Sequence, residues 1–181
     1  MSCKTNMTDL ELQQALYEHV LSFLKDQGLE FPYSNQETVV DEETGEENEQ
    51  TIHDWKPFNV YKQDKPYKTD ENDEDEENYI LIILNDEDGE ERSEDWIVEV
   101  QFIVGIELYE DDHQGNLIIA NVMNKLWHYL RTHKIDGADL DRHDKAKRFN
   151  QENYPNFYEG ALITKWRIRD VQVAEGTEEF L

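Results

Sequence analysis

The residues able to do chemistry in this chain are one cysteine, six histidines and 43 carboxylates. Cys3 is the only thiol. It stands at a chain end, where fraying denies a nucleophile its fixed partners. A single cysteine also excludes an intrachain disulfide and a thiolate metal cluster. His128 and His133 are five residues apart, which puts them on different faces of a helix and disfavours a shared metal. Asp139, Asp141, His143 and Asp144 carry the right donor atoms for a cation, but they lack a second His and a defined ligand spacing, so they read as a solvated loop. Asp70 to Asp75 and Asn85 to Gly89 fail as calcium loops, because acidic ligands do not alternate ahead of the required glycine. Weak, adventitious cation binding is all these carboxylates promise. No carboxylate pair for glycoside hydrolysis can be singled out. There is no Gly-rich phosphate loop, nucleophile elbow or His-Glu-x-x-His helix. The chemistry points away from an enzyme and requires no cofactor or metal.

The balance of charge narrows the partners. The 181 residues include 17 Lys and Arg against 43 Asp and Glu, for a net charge of -26 and a pI near 4.3. Such a surface cannot neutralise phosphates, which excludes nucleic-acid binding through a basic face and attachment to an anionic membrane. No apolar run approaches the roughly 18 residues of a membrane helix, and the N-terminal residues lack an apolar signal core. A soluble, cytosolic protein is expected. Hydrophobic residues at 37% and a mean hydropathy of -0.90 border on disorder, but 4 Trp, 9 Tyr and 7 Phe argue for a packed core. The acid is localised. Residues 34–95 hold 23 acidic and 5 basic side chains, leaving only -8 of the net charge to the other residues.

The elements that would position these residues begin with a helix over 8–27. Thr8 and Glu11 form a capping box, Leu12, Leu16, Val20, Phe23 and Leu24 share a face, and Gly28 stops it. Residues 34–78 read as an acidic excursion from the fold, with an aromatic island from Trp55 to Tyr61 and two acidic runs. One run comprises Asp70, Glu71, Asp73, Glu74, Asp75, Glu76 and Glu77. It can solvate a surface, line a passage through which DNA slides without sticking, or mimic DNA toward a basic partner. Tyr79 to Leu84 and Trp96 to Tyr109 predict an antiparallel hairpin. In the second strand Trp96, Val98, Val100, Phe102, Val104, Ile106 and Leu108 make a wholly apolar face. Asp111 and Asp112 cap a helix over 113–133 with a buried stripe of Ile119, Val122, Met123, Leu126 and Leu130, and with Trp127 and Tyr129 at its margins. Residues 136–153 read as polar and mixed in charge, Tyr154-Pro155-Asn156 as a turn, 157–173 as a last strand and 174–181 as a loose tail. The expectation is a single α+β domain over 1–181: an antiparallel-rich sheet with a long hairpin and two helices on one face.

Three stretches carry a resemblance: Ile103-Val104-Gly105-Ile106 followed by Tyr109-Glu110-Asp111-Asp112-His113-Gln114-Gly115; Tyr154-Pro155-Asn156-Phe157-Tyr158-Glu159-Gly160; and Thr164-Lys165-Trp166-Arg167-Ile168. In this order they resemble the small tail-terminator proteins from the tail-assembly regions of phages and prophages of Gram-positive bacteria. The resemblance covers about residues 79–173. It implies a virion protein of the head–tail junction, assembled in the host cytoplasm as a hexameric ring. That ring would cap the tail tube protein, meet a head-side connector protein, and let DNA pass without specific binding or any membrane contact. A closed ring needs two unlike edges per subunit. The interface residues this resemblance implies are Ile97, Ile103, Tyr109, Asp111, Asp112, Gln114, Tyr154, Phe157, Tyr158 and Trp166. Asp112 as a helix cap, Gly115 as a close-packing site and Tyr154 to Gly160 as a turn are equally structural readings. The alternatives are another neck component, such as a connector or stopper, and a soluble acidic binding module or DNA mimic.

Overall fold

A computed structural model describes residues 7–28, 30–40, 47–65, 78–85, 95–108, 115–150 and 157–169. Helix α1 spans Asp9–Gln27. Thr8 N–H donates to Glu11 Oε2 at 2.7 Å and Glu11 N–H donates to Thr8 Oγ1 at 3.2 Å, closing the capping box. Gly28 ends the helix in the left-handed region, with φ 52°, where a side chain would be strained. Helix α2 spans Gly115–Thr132 and buries Ile119, Val122, Met123, Leu126 and Leu130. Trp127 and Tyr129, expected at its margins, are buried as well.

The strands are β1 (Glu30–Val40), β2 (Glu47–Pro57), β3 (Asn59–Lys62), β4 (Tyr79–Asn85), β5 (Asp95–Glu107), β6 (Ala138–Phe149) and β7 (Phe157–Arg169). β1 and β2 form a two-stranded antiparallel sheet. The main sheet has the order β3-β4-β5-β7-β6, with β3 parallel to β4 and every other pair antiparallel. This is an α+β fold. Its core lies between the helices and the even-numbered face of β5, where Val98, Val100, Phe102, Val104 and Ile106 meet Leu12, Leu16, Phe23, Ile119, Met123 and Leu126. Trp96, expected on the same apolar face, is 53% exposed at the strand's end.

Two expectations are corrected. The excursion over 34–78 contains most of the β1–β2 hairpin and all of β3, so part of it belongs to the main sheet. The polar stretch 136–153 contains β6, a twelve-residue edge strand. β6 escapes a hydrophobic pattern because most of its side chains are exposed and its backbone ladder to β7 holds it in place. Its register also slips: from Leu140 to Lys145 it takes five steps while β7 takes two, from Trp166 to Thr164. The acidic run 70–77 and the tail 174–181 lie outside the described residues.

Polar clamps fix the sheet to the helices. Buried Gln13 on α1 donates to Ile82 O at 3.0 Å and to Gln63 Oε1 at 3.1 Å. Gln63, at φ 60°, follows the last residue of β3. Its N–H donates to Ile82 O at 2.9 Å, and its side-chain oxygen accepts Leu84 N–H at 2.8 Å. A side-chain amide thus extends a ladder that β3 is too short to complete.

Two outcomes test this packing. A Cβ at Gly160 would sit 2.8 Å from Ile119 Cγ2 and 3.1 Å from Arg148 O, so Gly160→Ala should cost about 1–3 kcal/mol in denaturant melts. Deleting residues 36–51 leaves the Asn35–Ile52 pair to close a shorter hairpin. It should shift the melting midpoint little, whereas a deletion running through β3 should lower it markedly.

Candidate functional site

The face of the main sheet turned away from the helices carries Ile97, Ile103 and Phe157 of the sequence-predicted contact residues. β4, β5 and β7 align there in cross-strand rows, since alternate side chains share a face. Leu81, Ile103 and Ala161 form one row, and Ile83, Gln101 and Ile163 the next. Ile163 is buried and the others are half-buried. Toward one end Glu99 stands between Asn85 and Lys165, and Asn85 Nδ2 and Gln101 Nε2 donate to Glu99 Oε1 at 2.9 and 3.1 Å.

An aromatic cluster closes the opposite end. Gly105 leaves room for the Tyr79 ring, which a Cβ there would overlap. Tyr79 stacks on Phe157 with centroids 6.3 Å apart, and Lys65 Nζ lies 4.4 Å from the Tyr79 centroid. The Tyr79 hydroxyl donates to Glu159 Oε2 at 2.7 Å. Burial first, then the hydrogen bond and the negative charge of Glu159, push the phenol well above its ordinary range. This tyrosine is a fixed donor and not an acid–base group at neutral pH.

At the Glu99 end the slip in β6 opens a concavity of about 490 Å³ lined by Ile97, Asp139–Asp144, Lys165, Trp166 and Arg167. Asp141 Oδ1 accepts His143 N–H at 2.8 Å. That bond, more than any other influence, holds the Asp141 carboxyl below its ordinary range. Lys165 and Asp144 pair at 3.2 Å. Asp139, Asp141, His143 and Asp144 therefore belong to a strand irregularity and meet cationic neighbours. Among the described residues no group of three or more His, Cys, Asp and Glu is placed to hold a metal ion.

A second concavity, of about 400 Å³, lies on the helical side and is lined by Gln27, Asn124, Lys125, His128, Tyr129, Thr132 and His133. His128 and His133 both line this cavity, His133 from just beyond the last helical residue. Its ring stacks on Tyr129 at 3.8 Å, and His19 approaches the same tyrosine edge-on at 6.3 Å. The His19 Nδ1 atom is buried without a hydrogen-bond partner.

The predicted interface residues divide. Ile97 is 38% exposed, Ile103 is half-buried, and Phe157 and Tyr158 begin β7. Tyr158 packs against Gly115, where a Cβ would overlap its ring. The close-packing reading of Gly115 thus holds. Trp166 is 1% exposed, and its indole N–H donates to Thr164 Oγ1 at 3.0 Å. Its ring belongs to the core of the fold. Tyr109, Asp111, Asp112, Gln114 and Tyr154 lie outside the described residues. Sequence reasoning missed Tyr79, Gln13, Gln63 and Glu159. Of these only Tyr79 left a signal, as the aromatic opening an aliphatic run.

No protein-family model matches the chain, and no curated protein matches it in sequence. No helix among the described residues is long and apolar enough to cross a membrane.

The histidine pair yields a pH test. Burial, then the nearby His133, depress the His19 pKa below 6.5, while Glu18 opposes them. A histidine with a depressed folded pKa binds its proton more readily in the unfolded chain, so stability is lost as pH falls below about 6.5. The melting temperature should drop between about pH 7 and 5.5, and less so in His19→Gln. Equal slopes in the two proteins would contradict this assignment.

Proposed function

We propose that this chain is a structural virion protein, a tail terminator whose ring caps the tail tube and joins it to the head-side connector. The reading rests on where the three motif stretches fall. Their glycines are the contact points of one framework: Gly105 receives Tyr79, Gly115 receives Tyr158, and Gly160 lies against Ile119 and Met123. The motifs thus join the central strand, the start of α2 and β7 around one core. They leave an apolar sheet face with Leu81, Ile97 and Ile103 available to a second protein. An open sheet face and two different sheet edges suit a subunit that contacts neighbours through unlike surfaces.

Light scattering on the purified chain should find hexamers, alone or with tail-tube protein. Particles lacking the protein should carry tails of irregular length; uniform, normal tails would count against a terminator. Tails of normal length that fail to join heads would favour a connector or stopper. Ile103→Asp should weaken assembly by about tenfold or more while leaving the melting temperature nearly unchanged, because its side chain is on the open face.

A further inference from the structure

Helices α1 and α2 meet around Tyr129, which is 8% exposed. Phe23 of α1 leans on its ring with centroids 5.4 Å apart, and His19 approaches edge-on at 6.3 Å. His133 stacks on the same ring at 3.8 Å, with the planes 16° apart. Two imidazoles thus approach one buried phenol, and their nitrogens are in unlike states. His133 Nδ1 lies 3.0 Å from Tyr129 O. A carbonyl only accepts, so this nitrogen carries the ring hydrogen, and the exposed ring takes a second proton at Nε2. His19 Nδ1 is buried without a partner. An imidazolium donates from both nitrogens, so a charged His19 would place an N–H where the folded chain offers no acceptor. That proton is accommodated only when the seam opens to water.

None of the other groups around the seam supplies the missing acceptor. Burial first, then His133, lower the His19 pKa, and the opposing Glu18 does not offset them. Asp26 acts on the Tyr129 hydroxyl, and Ser22 hydrogen-bonds to it. Lys125 and His128 of α2 line the cavity beside His133 and bring no negative charge. Lys62 of β3 meets the other side of α1, at Tyr17 and Gln14. β4 has one titratable residue, Tyr79, and Glu159 holds it. Arg131 and Lys145 lie over Trp127, on another flank of α2.

The two halves of α1 are held differently. Its first half is pinned by polar contacts: the capping box, Gln13 to Ile82 O and Gln63, and Lys62 to Gln14. Its second half relies on Val20, Phe23 and Leu24 against the core and on the Tyr129 seam. We propose that the His19–Tyr129–His133 cluster is an acid-operated latch, whose protonation frees residues 20–27 from α2 while residues 9–17 stay on the sheet. Two like charges beside Tyr129 and one unpaired N–H drive the opening. Phe23 and Tyr129 then form an aromatic patch that neutral pH keeps closed. The latch belongs to the fold of one chain and stands apart from the ring reading.

Hydrogen exchange followed by mass spectrometry on the intact chain, at about pH 7.5 and about pH 5.5, reads the latch directly once the pH dependence of chemical exchange is divided out. One pH unit below the ordinary histidine value of 6.5, a proton taken up only on opening multiplies the open population about tenfold. Exchange in residues 20–27 should therefore rise about tenfold or more at the lower pH, while residues 9–17 and 98–106 keep their protection. His19→Gln should remove most of that rise, His133→Gln part of it, and His143→Gln, at the β6 irregularity, none. Thermal melts at the higher pH check that each variant folds, and the wild-type pattern alone decides the matter where one does not. A rise of equal size through all of α1 and β5 would mean general acid destabilisation and would overturn the latch. So would an undiminished rise in folded His19→Gln, or no rise in the wild type. None of these outcomes touches ring closure, which light scattering at neutral pH reads separately.

Discussion

Burying the even-numbered face of β5 obliges its neighbours to align with it. Val98, Val100, Phe102, Val104 and Ile106 are 0–3% exposed, and each fully buried aliphatic or aromatic side chain is worth roughly 1.5–3 kcal/mol. A one-residue slip of β4 or β7 would turn Ile80 and Ile82, or Leu162 and Trp166, out of the core, so the apolar pattern fixes the register of three strands together. The helices then have only one face to cover. Gln13 and Thr164 are polar side chains within that apolar layer: the Ile82 carbonyl and the Gln63 side chain satisfy the Gln13 amide, and the Thr164 hydroxyl donates to Val100 O and accepts the Trp166 indole N–H. The odd-numbered face inherits its composition from the same alternation. Among the described residues it stays largely half-buried, on the side the helices do not cover.

The elements with a buried face were legible in the sequence. α1 announced itself by its capping box and apolar stripe, and β5 by thirteen residues of clean alternation. β7 could be read from Leu162, Thr164, Trp166 and Ile168 alternating against charged residues. What escaped were strands whose existence depends on backbone pairing. β6 has only Ala138 and Leu140 turned toward the core before its register slips, and Lys145 and Lys147 then occupy the helix side with their charges at the rim. β3 is four residues long and owes its place to β4. β1 and β2 lie in a stretch dominated by acids and amides, where composition spoke more loudly than pairing. The candidate surface was half legible. Ile97 and Ile103 follow from alternation, whereas the burial of Trp166 and the Tyr79–Glu159 hydrogen bond depend on which strands are neighbours. Spacing alone could not supply that.

Electrostatics separates the roles of the parts. Most of the carboxylates stand in connections, and the strands of the core carry few of them. The fold therefore does not have to oppose the full repulsion of a chain at -26. Cations follow the opposite rule. Lys145 and Arg131 flank Trp127, and Lys165 reaches Asp144 across the β6 irregularity, so the positive side chains sit on regular elements with fixed orientations. Among the described residues the positive charge of residues 115–150 is thereby fixed on a helix and a rigid edge strand.

The parallel pairing of β3 with β4 has a geometric consequence. A chain that leaves the end of one strand and enters the start of its parallel neighbour must travel back along the full strand length, so no tight turn can join them. The sequence between Lys62 and Tyr79 is thus a return path that the topology demands whatever its composition. Lengthening such a path costs little, about 0.6 kcal/mol for each doubling. Acidic residues can accumulate or be trimmed there while β5 and its partners keep their register. The connection is a dial for surface charge that turns independently of the fold.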